Sequence, residues 1–464
     1  MTTASDVSAL VAELRRSPLS TAAPLMRALG VGSQASFSRL VARAGDSIVR
    51  IGATRARRYA ATRPIRDLGS GFPFFRVAPD GSMVRLGRAT ALAPAGCCVH
   101  DAAPLPRWMR GGRGDGVFAG LPLPCFDARP KGFLGQSFAR RHAELRLPDR
   151  PDDWSDDDTL VALLHAGEDL PGDLVLGEAS ARRYYESLAR DREPVPRDDR
   201  ARVYPMLAND AIAGVTPGAL VGGAEPKFGA LVGTSDAARH ALVKFSPSEF
   251  SPSARRWCDL LACEHLALET LRARGIDAAA SEIVEGGSRV FLEVVRFDRI
   301  GARGRRAVVS LAALNAEYLS LPAGAGRWVE AAQRLAALRW ISPDIVERVR
   351  WLDAFGRFIA NADMHLGNLS FLPRDDDTLD LAPVYGMLPM GYAPVAGDVP
   401  ARSFNAPLPQ PGHEAVWSSA GAAAADFWRA AANDDRVSDP FRAIAAQNAA
   451  IVERTLDRFD RRSS

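Results

Sequence analysis

The sequence predicts an α+β protein: a winged helix-turn-helix at the N-terminus, followed by a two-lobed body with a β-rich first lobe and an all-helical second lobe. Three observations predict it. Residues 1–66 carry eleven arginines, no lysine and three acids, a charge of +8, so the rest of the chain carries −5. Apolar runs of β type dominate from about residue 205 to 300. Helical patterns dominate from 308 onward.

The length of 464 residues corresponds to two to four domains, at ~150 residues for an average domain. We place the boundaries at the shifts in pattern. The expected units are a winged helix-turn-helix (1–68), a β subdomain with a connecting helix (69–190), a β-rich lobe (191–300) and a helical lobe (301–464).

The composition excludes several classes of protein. Apolar residues make up 47% and charged residues 24%, which is typical of a chain that buries a core. There is no continuous apolar run long enough for a membrane span, and the first ten residues show no basic-then-apolar signal pattern. Five scattered cysteines with no metal-type spacing favour reduced thiols. We therefore expect a cytoplasmic protein.

The basic N-terminal segment has the element order of a winged helix-turn-helix. Residues 5–16, 21–29 and 34–44 have helical spacing, and residues 46–62 read as two short strands around a basic turn. The third helix would enter the major groove of DNA. Its candidate base and phosphate contacts are Gln34, Ser36, Ser38 and Arg39. The candidate phosphate contacts on the wing are Arg55, Arg57 and Arg58. The alternative is a small helical domain with a solvated basic face.

Residues 70–205 combine short strands with polar connections. Asp80-Gly81 predicts a hairpin turn, and segments 104–116 and 191–205 predict loops. The acidic run 156–158 precedes an apolar helix. We expect it to stabilise the helix N-terminus rather than to bind a metal.

The densest polar motif is NADMHLGNLSF, at residues 361–371, between an apolar helix and an apolar strand. Polar side chains between buried elements are costly unless they have partners or a function. Asp363 and Asn368 have the D-x-x-x-x-N spacing of a protein-kinase catalytic loop. In that loop the aspartate orients or deprotonates the attacking hydroxyl and the asparagine holds Mg²⁺.

Lysine is rare here: only three of the 58 basic residues are lysines. Lys244 lies within the apolar strand ALVKF, where its compact charge could bind the α- and β-phosphates of a nucleotide. Lys227 ends the glycine-containing segment VGGAEPKF, whose Gly222 and Gly223 would let backbone N–H groups approach phosphate. The segment is not a Walker A loop. Taken alone it would be a plain hairpin.

These residues resemble the HipA-like toxin kinases, the serine/threonine kinases of bacterial toxin–antitoxin modules. The resemblance covers residues 70–460 and rests on GGAEPKF, ALVKFSP, RWCDLLACEHLA, VVRFDR, NADMHLGNLSF and LAPVYGMLPM. The N-terminal winged helix-turn-helix is similar to the YjjJ-type subgroup, in which the DNA-binding element belongs to the toxin chain. The resemblance implies a two-lobed protein-kinase-like fold that uses ATP and Mg²⁺.

The resemblance also implies roles for individual residues. Asp363 matches the catalytic base, Asn368 an Mg²⁺ ligand and Lys244 the phosphate-binding lysine. His365 matches a loop-positioning residue, although a structural histidine explains it equally well. Glu264 could pair with Lys244 from the following helix, and a solvated helix face is the alternative. The remaining nucleotide-binding positions implied are Gly222, Gly223 and Lys227 over the phosphates, the backbone of Val295 to Phe297 at the adenine, and Asp298 at the ribose.

Two positions depart from the family pattern. The strand after the catalytic loop ends Tyr-Asp-Met in the family, and its aspartate binds Mg²⁺; here Gly386 occupies that position. Leu220 stands near the place of a regulatory serine. Loss of one of two protein ligands to the metal predicts a rate lower by roughly 10³. The chain is therefore either a natural pseudokinase or carries an introduced inactivating change.

These observations leave three candidate functions. The first is a growth-arresting Ser/Thr kinase that also binds operator DNA. The resemblance implies a translation-related substrate such as the glutamate aminoacyl-tRNA synthetase, and allows a homodimer. The second is a DNA-binding transcriptional regulator with a pseudokinase body. The third, a small-molecule phosphotransferase, shares only the 361–370 loop.

Overall fold

The computed structural model describes residues 3–53, 56–100, 105–189, 193–214, 225–233, 238–322, 324, 326–410 and 413–463. The first unit has three helices and three short strands. They are α1 (Thr3–Arg16), β1 (Ser20–Thr21), α2 (Ala22–Ala28), α3 (Gln34–Ala44), β2 (Ile48–Ile51) and β3 (Arg58–Ala61). The strands form one antiparallel sheet with β3 in the centre.

Local chemistry explains these elements. Ser33 caps α3, because its side chain accepts a hydrogen bond from the Ser36 N–H. The buried faces of α1 and α3 meet the sheet, and Phe37 lies edge-on to Tyr59 at 5.3 Å. Ser20 pairs with Tyr59 in the sheet, and Thr21 occupies the cap position of α2.

The second unit is a five-stranded antiparallel sheet with four helices. The strands are β4 (Gly71–Val77), β5 (Met83–Ala91), β6 (Cys97–His100), β7 (Val117–Phe118) and β8 (Leu174–Leu176), in the order β7-β6-β5-β4-β8. The helices are α4 (Leu123–Asp127), α5 (Gly132–Arg141), α6 (Asp156–Ala166) and α7 (Glu178–Ala189). β4 and β5 form the hairpin predicted around Asp80-Gly81.

The first unit is firmly attached to the second. Apolar side chains of β2 and β3 share a buried cluster with Leu92, Cys98 and Val117. Three arginine–aspartate pairs surround this contact: Arg58–Asp115, Arg63–Asp157 and Arg66–Asp158. The two units therefore pack as one body.

The acidic run at the start of α6 acts as the sequence predicts. Ser155 and Asp158 form a reciprocal capping box. Asp156 binds Arg129, and its two neighbours bind arginines of the first unit, as described above. Each carboxylate therefore has a cationic partner and a favourable helix end without a metal.

The third unit contains a four-stranded antiparallel sheet and two long helices. They are α8 (Arg200–Ala213), β9 (Lys227–Gly233), β10 (Ala238–Phe245), α9 (Pro252–Ala273), β11 (Ser281–Gly286) and β12 (Arg289–Val295). The strand order is β11-β12-β10-β9. The prediction of a loop over 191–205 was wrong from Arg200 onward, because α8 begins there. Pro205 lies inside this helix, which explains the misleading pattern.

The last unit is mainly helical. Its helices are α10 (Leu311–Leu314), α11 (Trp328–Ala337), α12 (Pro343–Phe358), α13 (Glu414–Asn433) and α14 (Asp439–Ser463). Its strands are β13 (Arg299–Ile300), β14 (Gly304–Arg305), β15 (Val309–Ser310), β16 (Ser370–Pro373) and β17 (Leu379–Leu381).

The expectation of an all-helical C-terminal lobe was therefore wrong. β15, β16 and β17 form a small antiparallel sheet, because residues 309–310 enter as a strand and not as the start of a helix. Asp127 of the second unit fixes this turn: its Oδ2 accepts a hydrogen bond from the Ser310 N–H at 2.7 Å.

One large apolar core runs through the second and last units. It includes Phe118 and Phe138 from the former and Trp328, Phe355 and Phe427 from the latter, all less than 3% exposed. Among the described residues, no helix combines the length and the apolar character needed to cross a bilayer.

Candidate functional site

Two lysines lie side by side on one face of the β9–β10 pair. Lys227 and Lys244 are direct partners in the antiparallel register, so their side chains leave the same face of the sheet. They are only 3% and 8% exposed. Two buried like charges in this arrangement repel each other unless anions lie beside them.

Two carboxylates supply that compensation. The Lys244 Nζ donates to Glu264 Oε2 of α9 at 2.6 Å and lies 3.0 Å from Glu225 Oε2. The pairing of Lys244 with Glu264 is confirmed in preference to a solvated helix face, since Glu264 is only 1% exposed. Sequence reasoning missed Glu225, although it is the only acid between the glycine pair and Lys227.

The electrostatics of the four groups differ. Burial alone would lower the pKa of Lys244, but Glu225 and Glu264 outweigh it and raise that pKa. For Lys227 burial prevails and lowers the pKa to about 8, although nearby carboxylates oppose the shift. Burial raises the pKa of Glu264, whereas the two lysines lower that of Glu225 against the effect of burial. The lysine pair thus places two positive charges in a desolvated position, and two carboxylates balance them.

The 361–370 loop is ordered by its own polar groups. The Asn368 Nδ2 donates to the Asp363 carbonyl at 2.6 Å and to Asp363 Oδ2 at 3.0 Å. Asn361 Oδ1 accepts from the Asp363 N–H at 3.0 Å. These bonds fix the position of the Asp363 carboxylate, which remains about half exposed.

His365 lies on the same loop with a largely exposed ring. Its Nδ1 accepts a hydrogen bond from the Gly367 N–H at 3.0 Å, and its carbonyl accepts from the Trp328 indole at 2.9 Å. Its Nε2 is 3.7 Å from Asp363 Oδ1. These contacts are those of a residue that shapes the loop.

One interaction links the lysine pair to the loop. Burial lowers the pKa of Lys227, and the Asp363 carboxylate is among the groups that oppose this shift, although Asp363 lies 136 positions further along the chain. A second connection runs through residues 384–385. The Ala279 N–H donates to the Val384 carbonyl at 2.9 Å, and the Tyr385 hydroxyl donates to the Gly367 carbonyl at 3.1 Å.

Gly386 follows directly and has a left-handed backbone, with φ of +62°. A Cβ at this position would meet no atom of the described residues within 4 Å. Position 386 therefore has space for a side chain among the described residues, at the end of a segment that contacts Ala279 of the third unit and Gly367 of the loop. The adjacent Tyr385 ring lies 5.7 Å from that of Phe297, at the predicted hinge.

The backbone N–H groups of the predicted hinge differ in whether they have an acceptor. The N–H groups of Val295 and Arg296 donate to the carbonyls of Ala280 and His240. Among the described residues, no acceptor binds the Phe297 N–H, which leaves it for a ligand.

The expectation that Asp298 reaches a ribose is not supported. Its carboxylate is buried and accepts from Arg296, Arg299 and the Gly172 N–H at 2.8 to 3.0 Å. Burial alone would raise the pKa of Asp298, but the two arginines hold it well below its usual range. This ion cluster joins the third unit to the second.

The glycines Gly222 and Gly223, and Leu220, lie outside the described residues. For a divalent cation, the described residues offer the Asn368 amide oxygen and the Asp363 carboxylate, with no ligand from position 386. Oxygen donors suit Mg²⁺, but this set lacks one carboxylate.

Among the described residues, one other group has the spacing of metal ligands: His142, Glu144 and His165. It lies in the second unit. Both histidines already accept hydrogen bonds from guanidinium groups, those of Arg141 and Arg183 at 3.3 Å. Two cations beside the histidines oppose a metal, so we assign none there.

The candidate DNA contacts on α3 are partly accessible. Gln34, Ser38 and Arg39 are exposed, whereas Ser36 is half-buried and accepts hydrogen bonds from the Ser33 N-cap and Arg39. On the predicted wing, Arg57 is exposed and donates to the Gly52 carbonyl. Arg55 lies outside the described residues. The expectation for Arg58 is not supported, because its guanidinium pairs with Asp115 of the second unit.

Comparison with known proteins identifies the family. Residues 68–185 match the middle domain of YjjJ-like toxins, and residues 219–462 match the HipA-like C-terminal domain. Toxin YjjJ of Escherichia coli (strain K12) is 37% identical over 429 residues, covering 92% of this chain and 93% of that protein. A chain of the Shewanella oneidensis MR-1 complex of HipA, HipB and operator DNA superposes with a TM-score of 0.51 and 15% identity, over 83% of this chain and 97% of its own. At that identity the structural likeness concerns the fold alone.

The two matched domains together take in the lysine pair, the 361–370 loop and most of the fold, and they confirm the resemblance inferred from the motifs. The chain therefore belongs to the HipA-like toxins, in the group defined by the YjjJ-like middle domain.

Proposed function

We propose that this chain is a two-lobed kinase of the HipA kind, which binds ATP between the lysine pair and the 361–370 loop. The observation that carries the proposal is the interaction between Asp363, held by Asn368, and Lys227, the strand partner of Lys244, which is itself held by Glu264. An ammonium positioned for phosphates and a fixed carboxylate positioned for a hydroxyl are the parts that phosphoryl transfer requires.

The proposed roles follow from these contacts. Lys244 and Lys227 bind the nucleotide phosphates, and the free N–H of Phe297 binds the base. Asp363 accepts the proton of a serine or threonine hydroxyl as it attacks. Asn368 holds the Asp363 carboxylate in place, and His365 shapes the loop. Bound Mg²⁺ would neutralise charge on the phosphates, and Asn368 is the protein ligand left for it. We therefore propose that the chain binds nucleotide well and transfers phosphate poorly.

Calorimetry of ATP binding with and without Mg²⁺ tests this proposal. We expect ATP to bind without Mg²⁺ and its affinity to increase little when the metal is added. The reason is that the site has two lysines and an incomplete set of metal ligands. A complete lack of binding under both conditions would contradict a nucleotide site.

The pH dependence of ATP binding should depend on Lys227. Its pKa is lowered to about 8, so the ammonium that attracts phosphate is present below pH 8 and is lost above it. We expect ATP affinity to be constant from pH 6.5 to 7.5 and to fall by up to roughly tenfold per pH unit above 8. Titrations at pH 7, 8 and 9 measure it.

The matched control for this experiment is Lys227→Arg, which keeps its charge throughout the range. The variant should show a flat profile between pH 7 and 9. A wild-type profile that is equally flat, or a variant profile that falls as steeply as the wild type, would show that another group controls the binding.

For the substrate, we propose a serine or threonine of a translation-related protein, with an aminoacyl-tRNA synthetase as the first candidate by family analogy. The resemblance to HipA-like toxins supports this choice. We place the activity in the cytoplasm, where such substrates are found.

We also propose that the first unit is a winged helix-turn-helix that binds an operator. Its order of three helices and a small sheet, with the outer face of α3 exposed, supports this assignment. In the Shewanella complex the operator DNA accompanies both HipA and HipB. Here the DNA-binding element would belong to the toxin chain, and a palindromic operator would require two copies of the chain.

Two arginines distinguish the DNA-binding surface from the interface between the first two units. Arg39→Ala should weaken operator binding. It should also reduce the slope of log affinity against log salt concentration by about one, because one phosphate contact is lost. Arg58→Ala should leave that slope unchanged, because Arg58 already pairs with Asp115. Fluorescence anisotropy with labelled DNA from 50 to 200 mM salt gives both slopes. Equal effects of the two substitutions would place the DNA elsewhere.

A second function remains, a DNA-binding regulator whose kinase-like body only binds nucleotide. Gly386 is the observation that favours it. This alternative predicts operator binding that responds to ATP and no phosphate transfer even with aspartate at position 386.

A further inference from the structure

Glu225 forms an ion pair that kinase function would have to break. Its Oε2 lies 3.0 Å from the Lys244 Nζ, and its side chain is 19% exposed. Lys244 therefore contacts two carboxylates at once, one from Glu264 and one from Glu225. With Lys227 opposite, the group contains two positive and two negative charges and is neutral without a ligand.

The two carboxylates are held differently. Glu264 lies in the middle of the 22-residue helix α9 and is completely buried, so it stays beside Lys244. Glu225 lies outside regular secondary structure, two residues before β9 begins, and is partly exposed. Glu225 is thus the partner that can leave.

A nucleotide would compete for the same place. A phosphate oxygen bound to Lys244 would lie about 3 Å from Nζ, which is the distance at which the Glu225 oxygen already lies. The nucleotide brings three to four negative charges next to a group that is already neutral. Repulsion between like charges in a desolvated site is large, so both anions cannot occupy it favourably.

We propose that Glu225 is a built-in competitor for the nucleotide phosphates: its carboxylate occupies Lys244 in the free protein and must be displaced when ATP binds. Glu225 thereby sets the affinity of the site for phosphate-bearing ligands. This inference rests on the proposed nucleotide site.

The test compares Glu225→Gln with the wild-type chain in calorimetric titrations with ATP in EDTA, ATP with excess Mg²⁺, and adenosine. Glutamine keeps the size and removes the charge. We expect the variant to bind ATP roughly tenfold more tightly in EDTA and at least as tightly as wild type with Mg²⁺. Adenosine, which lacks phosphates, should bind both proteins equally.

Two further variants serve as checks. Glu249→Gln removes an exposed carboxylate of the same unit and should leave all affinities unchanged. Glu225→Ala removes the same charge by a different substitution and should reproduce the gain, which guards against a folding defect of one variant. Thermal unfolding establishes that each variant is folded.

Each other outcome has a definite meaning. Unchanged ATP affinity in a folded variant, with normal binding by the wild type, overturns the competitor role but leaves the nucleotide site intact. Weaker binding only with Mg²⁺ overturns it by making Glu225 a metal ligand. Tighter adenosine binding overturns it by indicating a general opening of the site. No binding of ATP by any of these proteins overturns the proposed function and this inference with it.

Discussion

Replacing Gly386 with aspartate is expected to increase Mg²⁺-dependent phosphate transfer by roughly 10³-fold or more. The substitution adds the carboxylate that the family has at this position. The part of the chain that the structure describes has room for it, because none of its atoms would lie within 4 Å of a Cβ at this position. The left-handed backbone at φ +62° costs an L-residue about 1 kcal/mol, and aspartate tolerates it better than most residues. Transfer from [γ-³²P]ATP measures the gain.

Two controls test whether the gain depends on the negative charge and on the proposed base. Gly386→Asn adds nearly the same volume without a negative charge and should remain close to wild type. Adding Asp363→Asn to the Gly386→Asp chain should abolish the gain, since the proposed base is lost. Metal-dependent ATP affinity provides a readout that needs no protein substrate. If Gly386→Asp changes neither transfer nor the effect of Mg²⁺ on binding, the kinase proposal fails and the regulator becomes the better explanation.

The second large effect is expected from Lys244→Met. Two charge-assisted hydrogen bonds to phosphate would be lost, which corresponds to a decrease in ATP affinity of roughly 100-fold or more. The free energy of unfolding should also fall by about 3–5 kcal/mol, because the buried carboxylate of Glu264 loses its partner. Denaturant unfolding and ATP titration measure the two effects separately.

The pH dependence of that stability loss has a definite sign. Burial raises the pKa of Glu264 above its usual value, and more so once Lys244 is gone. A carboxyl group whose pKa is raised in the folded state destabilises that state when it is ionised. The loss of unfolding free energy in Lys244→Met should therefore increase as the pH rises above about 5 and decrease in acid. The double variant Lys244→Met/Glu264→Gln should recover part of the lost stability. ATP affinity equal to wild type in Lys244→Met would show that the phosphates bind elsewhere.

The sequence identified those parts of the candidate site that local chemistry specifies, and their functional roles stay predictions. Lys244 was identified by its rarity and its apolar neighbours, and Asp363 with Asn368 by their spacing. Glu264 had two explanations, and only packing decides between them, because its helix places it against β10. The acidic run 156–158 was correctly assigned to a helix end, since a capping box is a local pattern.

The parts that failed depend on distant contacts. Nothing local to Arg58 indicates that Asp115 pairs with it, because this pair forms only when separate units dock. The arginines that bind Asp298 are close to it in sequence, but the cluster is completed by distant contacts with Asp169 and the Gly172 N–H. Glu225 was overlooked for the same reason, since its significance comes from the register that places Lys227 opposite Lys244. Pro205 suggested a loop, and its helix exists because tertiary packing outweighs the local penalty.

The apolar core shared by the second and last units has a consequence for how this chain folds. The middle-domain match ends at residue 185 and the C-terminal match begins at 219, yet side chains from both regions fill the same interior. Neither segment could bury its inner face if it were synthesised by itself. We therefore expect the two matched domains to unfold together as one cooperative unit.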